Sequence, residues 1–309
     1  MYTTVVVCTI GRESLTNTLK TLANNSVKSF ELFIVSQGSL TVKKKVNSLI
    51  NTYKDKIHKL KHFHLTHLGL SKSRNFAIRK FHSQLLVFVD DDCMVESNWL
   101  ENIEKSFLSD QKIDVVFGRV LPYKPELHKG FMCISITSFK NTRIYKSPLM
   151  YNRAIFPGNS MAIKRDVFLR MGFFKEWLGV GSHAYATEDE EMAFRILRTG
   201  GRILVNSDII SYHNRWLKRS DYHSIMKRYT CGFFAAFTYH ALKGDKIAKG
   251  YIKSFLIRSA STWIRHFLKS VCEFHPKVTI FYLGFLLSGP TKWIYYIKGI
   301  LIGDRKSVV

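Results

Sequence analysis

The sequence predicts an α/β fold: a mostly parallel sheet with helices on both faces. Three observations carry that prediction. From residue 3 to about residue 121, short apolar runs rich in β-branched residues alternate with segments whose apolar residues recur at helical spacing. The runs are short and bounded by polar residues, as buried strands are. Three of them end in polar turns that a parallel sheet would align along one edge: Thr9-Ile10-Gly11-Arg12, Ser36-Gln37-Gly38-Ser39 and Asp90-Asp91-Asp92.

Taken in order, Thr3 to Cys8 reads as the first strand and Glu13 to Leu22 as a helix, with Leu15, Leu19 and Leu22 on one face. Phe30 to Val35 is the second strand and Val42 to Tyr53 the next helix. His62 to Leu65 is a weak third strand, and Ser71 to Phe81 a helix with Ser71 as its N-cap. Leu85 to Val89 runs straight into Asp90, Asp91 and Asp92. Three adjacent carboxylates repel one another, so a fold keeps them together only beside a cation or abundant water. A divalent metal is the simplest such cation. Asn98 to Phe107 follows as a helix and Val115 to Leu121 as a strand. The pattern weakens from Pro122 to Pro157, a long excursion placed over the cleft. Order returns with a strand at Gly158 to Ile163 and a helix at Arg165 to Met171. After the glycine segment 178–182, Thr187 caps a helix that runs to about Arg198. Arg202 to Val205 is the last strand, closely followed by Ser211-Tyr212-His213-Asn214. The sheet edge thus collects Thr9, Arg12, Ser36, Gln37, Asp90, Asp91 and Asp92, and a nucleotide-sized cleft is expected there.

The formal net charge of +24 favours polyanionic partners: anionic lipid, nucleic acid or phosphorylated substrates. Codon bias toward Lys, Ile, Asn, Phe and Tyr is a competing source of part of that excess. The five cysteines are scattered, with no CxxC pair, which fits a reducing compartment and argues against a disulfide framework or zinc site. A strand pattern starts almost at the N-terminus, so no signal peptide is expected. No window reaches the roughly 18 apolar residues of a membrane span; the longest near-apolar run is Val278 to Leu287. From Lys218 onward there are 16 basic and four acidic residues, interleaved with aromatics. A helix drawn over Tyr251 to Val271 sets Phe255, Ile264 and Phe267 among Lys253, Arg258 and Arg265. Such helices lie on anionic bilayers, or simply pack with their lysines solvated. The expected organisation is an α/β domain at 1–216 and a basic, mainly helical region at 217–309.

Five pieces in order resemble the family 2 glycosyltransferases, inverting enzymes of the Rossmann-like GT-A fold. They are Val5 to Arg12, Leu68 to Asn75, Phe88 to Asp92, Gly158 to Arg165, and Thr187-Glu188-Asp189 with Glu191 and Arg195. The resemblance covers residues 3 to 215. It implies a nucleotide-diphosphate sugar as donor and Mn²⁺ or Mg²⁺ as cofactor. Asp92 would be a direct metal ligand, Asp90 would contact the ribose or the metal through water, and His213 would be a third ligand. Arg74 would contact the diphosphate or base, Asp189 would be the general base, and Glu188 would orient the acceptor or Asp189. Trp177 could stack on an acceptor sugar or belong to the core. The family's Asp-Asp-Gly-Ser after the second strand is Ser36-Gln37-Gly38-Ser39 here. An acidic contact is therefore missing, which leaves the base open; the Gln37 amide can offer both a donor and an acceptor.

The implied activity is hexosyl transfer to a hydroxyl of a glycan or lipid-linked saccharide, in surface polysaccharide synthesis. The implied setting is the cytoplasmic side, peripheral on the membrane, with no nucleic acid partner; oligomeric state is left open. Two rivals remain at this level. A glycoside hydrolase also uses paired carboxylates but needs no nucleotide cleft. A non-enzymatic basic module that binds nucleic acid or lipid fits the charge but lacks a recognition motif.

Overall fold

The computed structural model describes residues 1–150, 156–258 and 290–307. The expected 251–271 helix beyond residue 258, and the apolar run 278–287, lie outside the described residues. By internal contacts the chain divides into two compact units. One comprises Met1–Ser182 with Glu188–His223; the other comprises His183–Thr187 and the described residues from Ser224 onward.

The first unit is built on a large sheet. Its strands are β1 (Thr3–Thr9), β2 (Glu31–Gln37), β3 (Lys59–Leu65), β4 (Leu85–Asp90), β5 (Cys93–Val95), β6 (Val115–Pro122), β8 (Arg143–Tyr145), β9 (Ser160–Lys164) and β10 (Ile203–His213). The short β7 (Met132–Cys133) and β11 (Trp216–Leu217) pair separately. The main order is β3-β2-β1-β4-β9-β6-β10-β5, with β8 paired to β10. β1, β2, β3 and β4 are parallel neighbours, and β6 and β10 run the same way. β9 is antiparallel to both β4 and β6, and β5 and β8 are antiparallel to β10. The sheet is therefore mostly parallel, as expected, with a reversed strand at its centre.

Successive strand residues point to opposite faces, and each face has its own core. Val5, Val7, Leu32, Ile34, Leu85 and Val87 meet α1 (Leu15–Ala23), α2 (Leu40–Asn51) and α4 (Trp99–Ser109). Val6, Phe33, Val35, Leu86 and Phe88 meet α3 (Leu70–Lys80), α5 (Arg165–Met171) and α6 (Glu188–Arg198). Full burial of each such side chain contributes roughly 1.5–3 kcal/mol. Because both faces are covered, the strands read as continuous apolar runs.

Several local expectations differ. Gly69 precedes α3 at φ 145°, and Ser71 lies inside the first turn, its hydroxyl donating to the Leu178 carbonyl at 2.7 Å instead of capping the helix. Thr187 has φ 80°, outside the extended region of an ordinary N-cap. The last strand and the segment after it form one strand, β10, with a bulge between Asn206 and Ile210 that a periodicity reading splits in two. The excursion after Pro122 carries β7, β8 and a bridge between Val120 and Thr137.

α7 (Arg219–Leu242) leads into the second unit. There residues 246–258 are helical, and Phe255 stacks on Phe233 at 4.9 Å. In the helix Pro290–Ser307, a Cβ added at Gly299 would sit 2.5 Å from the Cys231 carbonyl, and one at Gly303 2.5 Å from that of Ala235. These two glycines allow the backbones to approach closely. No described helix is long and apolar enough to cross a membrane.

Candidate active site

The carboxyl ends of β1 and β4 place Thr9 and Arg12 against the three acids. The Thr9 hydroxyl donates to Asp91 at 2.6 Å and accepts from the Gly11 N–H at 2.9 Å. Arg12 bridges Asp91 at 2.7 Å and Asp92 at 3.1 Å. Asp91 is 2% exposed, and burial pushes its carboxyl up to about 6 despite Arg12. Held by both partners, Asp91 ties the first turn to the acidic one.

Asp92 faces His213 from the end of β10. His213 Nε2 lies 2.9 Å from Asp92 Oδ1, and its Nδ1 donates to the Ile134 carbonyl at 2.6 Å. Burial opposes charge on both, but their mutual hydrogen bond wins: Asp92 is held below the usual carboxylate range and His213 rises to about 10. Among the described residues, the one cluster of potential ligands is Asp92, Cys93 and His213, with ligand atoms within 4.8 Å. Asp90 is not in that cluster; its carboxylate turns toward Arg74 at 3.5 Å.

Arg74, expected to contact the diphosphate or base, is buried at 2% exposure. Its guanidinium donates to Glu188 at 3.0 Å and to the Gly158 carbonyl at 2.9 Å, over the rings of Phe88 and Phe174. With Asp90 at 3.5 Å, two carboxylates and a carbonyl surround the guanidinium, which is what holds a buried arginine in place. Gly158 in turn donates its N–H to Asp189 Oδ2 at 2.6 Å, while Asp189 Oδ1 accepts from the Glu190 N–H at 2.8 Å. A Cβ at Gly158 would lie 2.7 Å from Asp189 Oδ2 and 3.0 Å from both terminal nitrogens of Arg74. Only glycine fits there. Burial first, and then Asp189, raise Glu188 to about 7, against the pull of Arg74.

A continuous chain of hydrogen bonds therefore joins Asp189, Gly158, Arg74 and Asp90, one residue from Asp91. Through Arg12, Arg74 and Gly158, the residues Asp90, Asp91, Asp92, Glu188 and Asp189 are drawn together at one edge of the sheet, while Glu191 pairs with Arg195. Trp177 sits half-buried before the glycine turn, and its carbonyl accepts from Ser182 at 2.9 Å. Gln37 Oε1 accepts the Gly69 N–H at 2.7 Å. Ser36 contacts His62 and His64, two residues the sequence reading passed over although His-Phe-His on a strand puts both rings on one face. Cys93 was likewise missed, because its place beside His213 depends on a short antiparallel pairing.

The family model described as glycosyl transferase family 2 matches residues 4–172, more than half of the chain. The chain belongs to glycosyl transferase family 2. It is a glycosyltransferase with the GT-A fold. A glucosyl-dolichyl phosphate glucuronosyltransferase of Haloferax volcanii is 23% identical over 231 residues, 72% of each chain. The mannosyltransferase PcManGT of Pyrobaculum calidifontis, solved with GDP-Man and Mn²⁺, superposes with a TM-score of 0.61 at 16% identity, over 99% of this chain and 86% of that one. S. aureus TarS 1-349 with UDP-GlcNAc gives a TM-score of 0.55 at 20% identity, over 75% of this chain and 66% of that one. This glycosyltransferase thus spans about two thirds of the TarS fragment, and at these identities the likeness is one of fold.

Proposed function

We propose that this family 2 enzyme is inverting and metal-dependent, transferring a sugar from a nucleotide-diphosphate donor to a hydroxyl of a glycan or lipid-linked saccharide. The observation that carries the reading is the hydrogen-bonded path from Asp189 through Gly158 and Arg74 to Asp90. It brings a proton acceptor to the edge where the donor is held. The nucleotide sugars named with TarS and PcManGT support that donor class.

The donor set fits a divalent cation. The 2.9 Å between Asp92 Oδ1 and His213 Nε2 is the separation of neighbouring ligands about an ion bound at roughly 2.1 Å. The Ile134 carbonyl holds Nδ1–H, leaving Nε2 for ligation once the imidazole is neutral. Asp92 and His213 would hold Mn²⁺ or Mg²⁺, which when bound neutralises the charge developing on the leaving diphosphate. Displacing the His213 proton makes cation binding weaker in acid.

Asp189 takes the proton of the acceptor hydroxyl as that oxygen attacks the anomeric carbon from the face opposite the diphosphate. The Gly158 and Glu190 N–H groups aim its carboxylate. Glu188 orients the neighbouring charge network through Arg74. Trp177 is assigned to the acceptor side. The exposed Ile257, Ile297, Ile300 and Leu301, among many lysines and arginines, support a C-terminal region that rests on an anionic membrane surface. That placement suits surface polysaccharide synthesis on a lipid-linked acceptor at the cytoplasmic face.

A panel of nucleotide sugars, assayed for transfer or hydrolysis and for thermal protection with and without Mn²⁺, tests the reading. At least one should be turned over, with activity lost in EDTA and restored by Mn²⁺ or Mg²⁺. Full turnover in chelator would refute the metal assignment.

A further inference from the structure

Thr9, Ser36 and His64 form one row across the carboxyl ends of β1, β2 and β3, since Thr9 is in register with Ser36 and Ser36 with His64. Register partners in parallel strands present side chains on the same face. The row begins at the acidic turn, where Thr9 holds Asp91. It ends in a cluster that the transfer chemistry does not use.

The proton positions in that cluster follow by elimination. Asn47 Oδ1, an acceptor, lies 2.5 Å from His62 Nδ1, so Nδ1 carries the hydrogen and His62 Nε2 is a lone pair. Burial lowers the His62 imidazole to about 4, so it is neutral at physiological pH. Nε2 then accepts the Ser36 hydroxyl proton at 2.7 Å, much closer than the alternative acceptor, the Phe63 carbonyl at 3.4 Å. With that proton committed, Ser36 Oγ can only accept from His64 Nδ1, at 2.8 Å. His64 Nε2 is left as an acceptor, and it is buried with no partner among the described residues. A buried acceptor without a donor is costly and calls for a ligand.

We infer that His64 Nε2 is the acceptor that reads the donor nucleobase, and that the base it fits carries a ring N–H, as uracil does at N3 and guanine at N1. This rests on the proposed nucleotide-sugar reading. A nucleoside laid along the row puts its diphosphate at the acidic turn and its base at β3. Cytosine and adenine present a lone pair at the corresponding ring nitrogen, facing the His64 lone pair. The Gln37 amide oxygen already accepts the Gly69 N–H, whereas His64 Nε2 has no partner among the described residues. The Asn47–His62–Ser36 relay places the His64 hydrogen on Nδ1, so the neutral ring presents its lone pair at Nε2 and becomes a determinant of specificity.

The test is calorimetric titration of the full chain with Mn²⁺ present, using UDP, GDP, CDP and the N3-methyl and N1-methyl analogues of UDP and GDP. Either UDP or GDP should bind at least about tenfold more tightly than its methylated analogue and than CDP, the cost of one buried unmatched acceptor. In His64→Ala, with its unfolding temperature checked, that ratio should fall to near one while CDP affinity is unchanged. Equal affinity for parent and methylated nucleotides in the wild type, or a preference that persists in His64→Ala, overturns the inference. Failure of every nucleotide to bind overturns the donor reading, and this inference with it.

Discussion

The β3-β2-β1-β4 half of the sheet is wholly parallel, and its strands are joined by helices that cover it. The β9-β6-β10-β5 half mixes directions and pairs residues far apart in the chain, such as His213 with Cys93. The halves also differ in what they carry. The parallel half ends in hydroxyls, imidazoles and the three-acid run at and just after the end of β4, groups suited to holding a nucleotide. The mixed half brings Gly158 and His213, and α6 packed against it brings Glu188 and Asp189. Local βαβ units build the first edge of the site, but bringing Asp189 and His213 up to that edge takes long-range pairing.

That division of labour can be broken by experiment. Asp189→Asn keeps the shape of the side chain and removes its basicity. Transfer should fall at least about a thousandfold with nucleotide affinity nearly unchanged, measured by initial rates and calorimetry on the same preparation. Equal loss of both would mean that the two halves do not divide the work. Gly158→Ala should act next most strongly. Its Cβ, 2.7 Å from Asp189 Oδ2, must push the carboxylate or Arg74 aside. A drop of about 10- to 100-fold in kcat is expected, larger than any change in nucleotide affinity, with about 1–3 kcal/mol lost in urea unfolding.

The smallest effect belongs to the parallel half. His62 is lowered to about 4 from an ordinary 6.5, first by burial and then by His64 and Lys43. Between those values the unfolded chain takes up a proton that the folded one refuses, so this contribution to stability is lost as pH falls from 6.5 through 4. Glu188 and Asp91 have raised values and act in the opposite sense, since the folded state binds their protons more readily. The informative quantity is therefore a difference. His62→Gln should lose less stability than wild type between pH 6.5 and 4 in parallel urea titrations. An identical slope in the two proteins would show that His62 is not held neutral.

Much of the parallel half was legible because its signals are local. Val5 to Thr9 and Leu85 to Asp92 announce strand and turn within a few residues. The three adjacent acids were legible because such a run calls for a cation or water, and Asp189 only because Thr187-Glu188-Asp189 resembles the family's helix start. What escaped were properties of pairs. The reversed direction of β9 has no mark in its five residues, because orientation is settled by the neighbours it packs between. Arg74 reads as a surface-helix cation available to a phosphate, yet Glu188, Asp90 and Gly158 draw it inward. The bulge in β10 hid a single long strand behind two short ones. Ser36, read as a lost acidic contact, gains its meaning only from His62 and His64 on the next strand.

The His213 ring has a further consequence. One of its nitrogens is tied to Ile134, in the excursion between β6 and β9, and the other faces Asp92. If His213 ligates a cation as proposed, whatever displaces the Ile134 peptide alters how firmly it can do so. Thermodynamic reciprocity then makes the cation alter the hold on that displacing group by the same factor. A metal titration repeated at several acceptor concentrations would reveal cross-talk that neither titration shows alone.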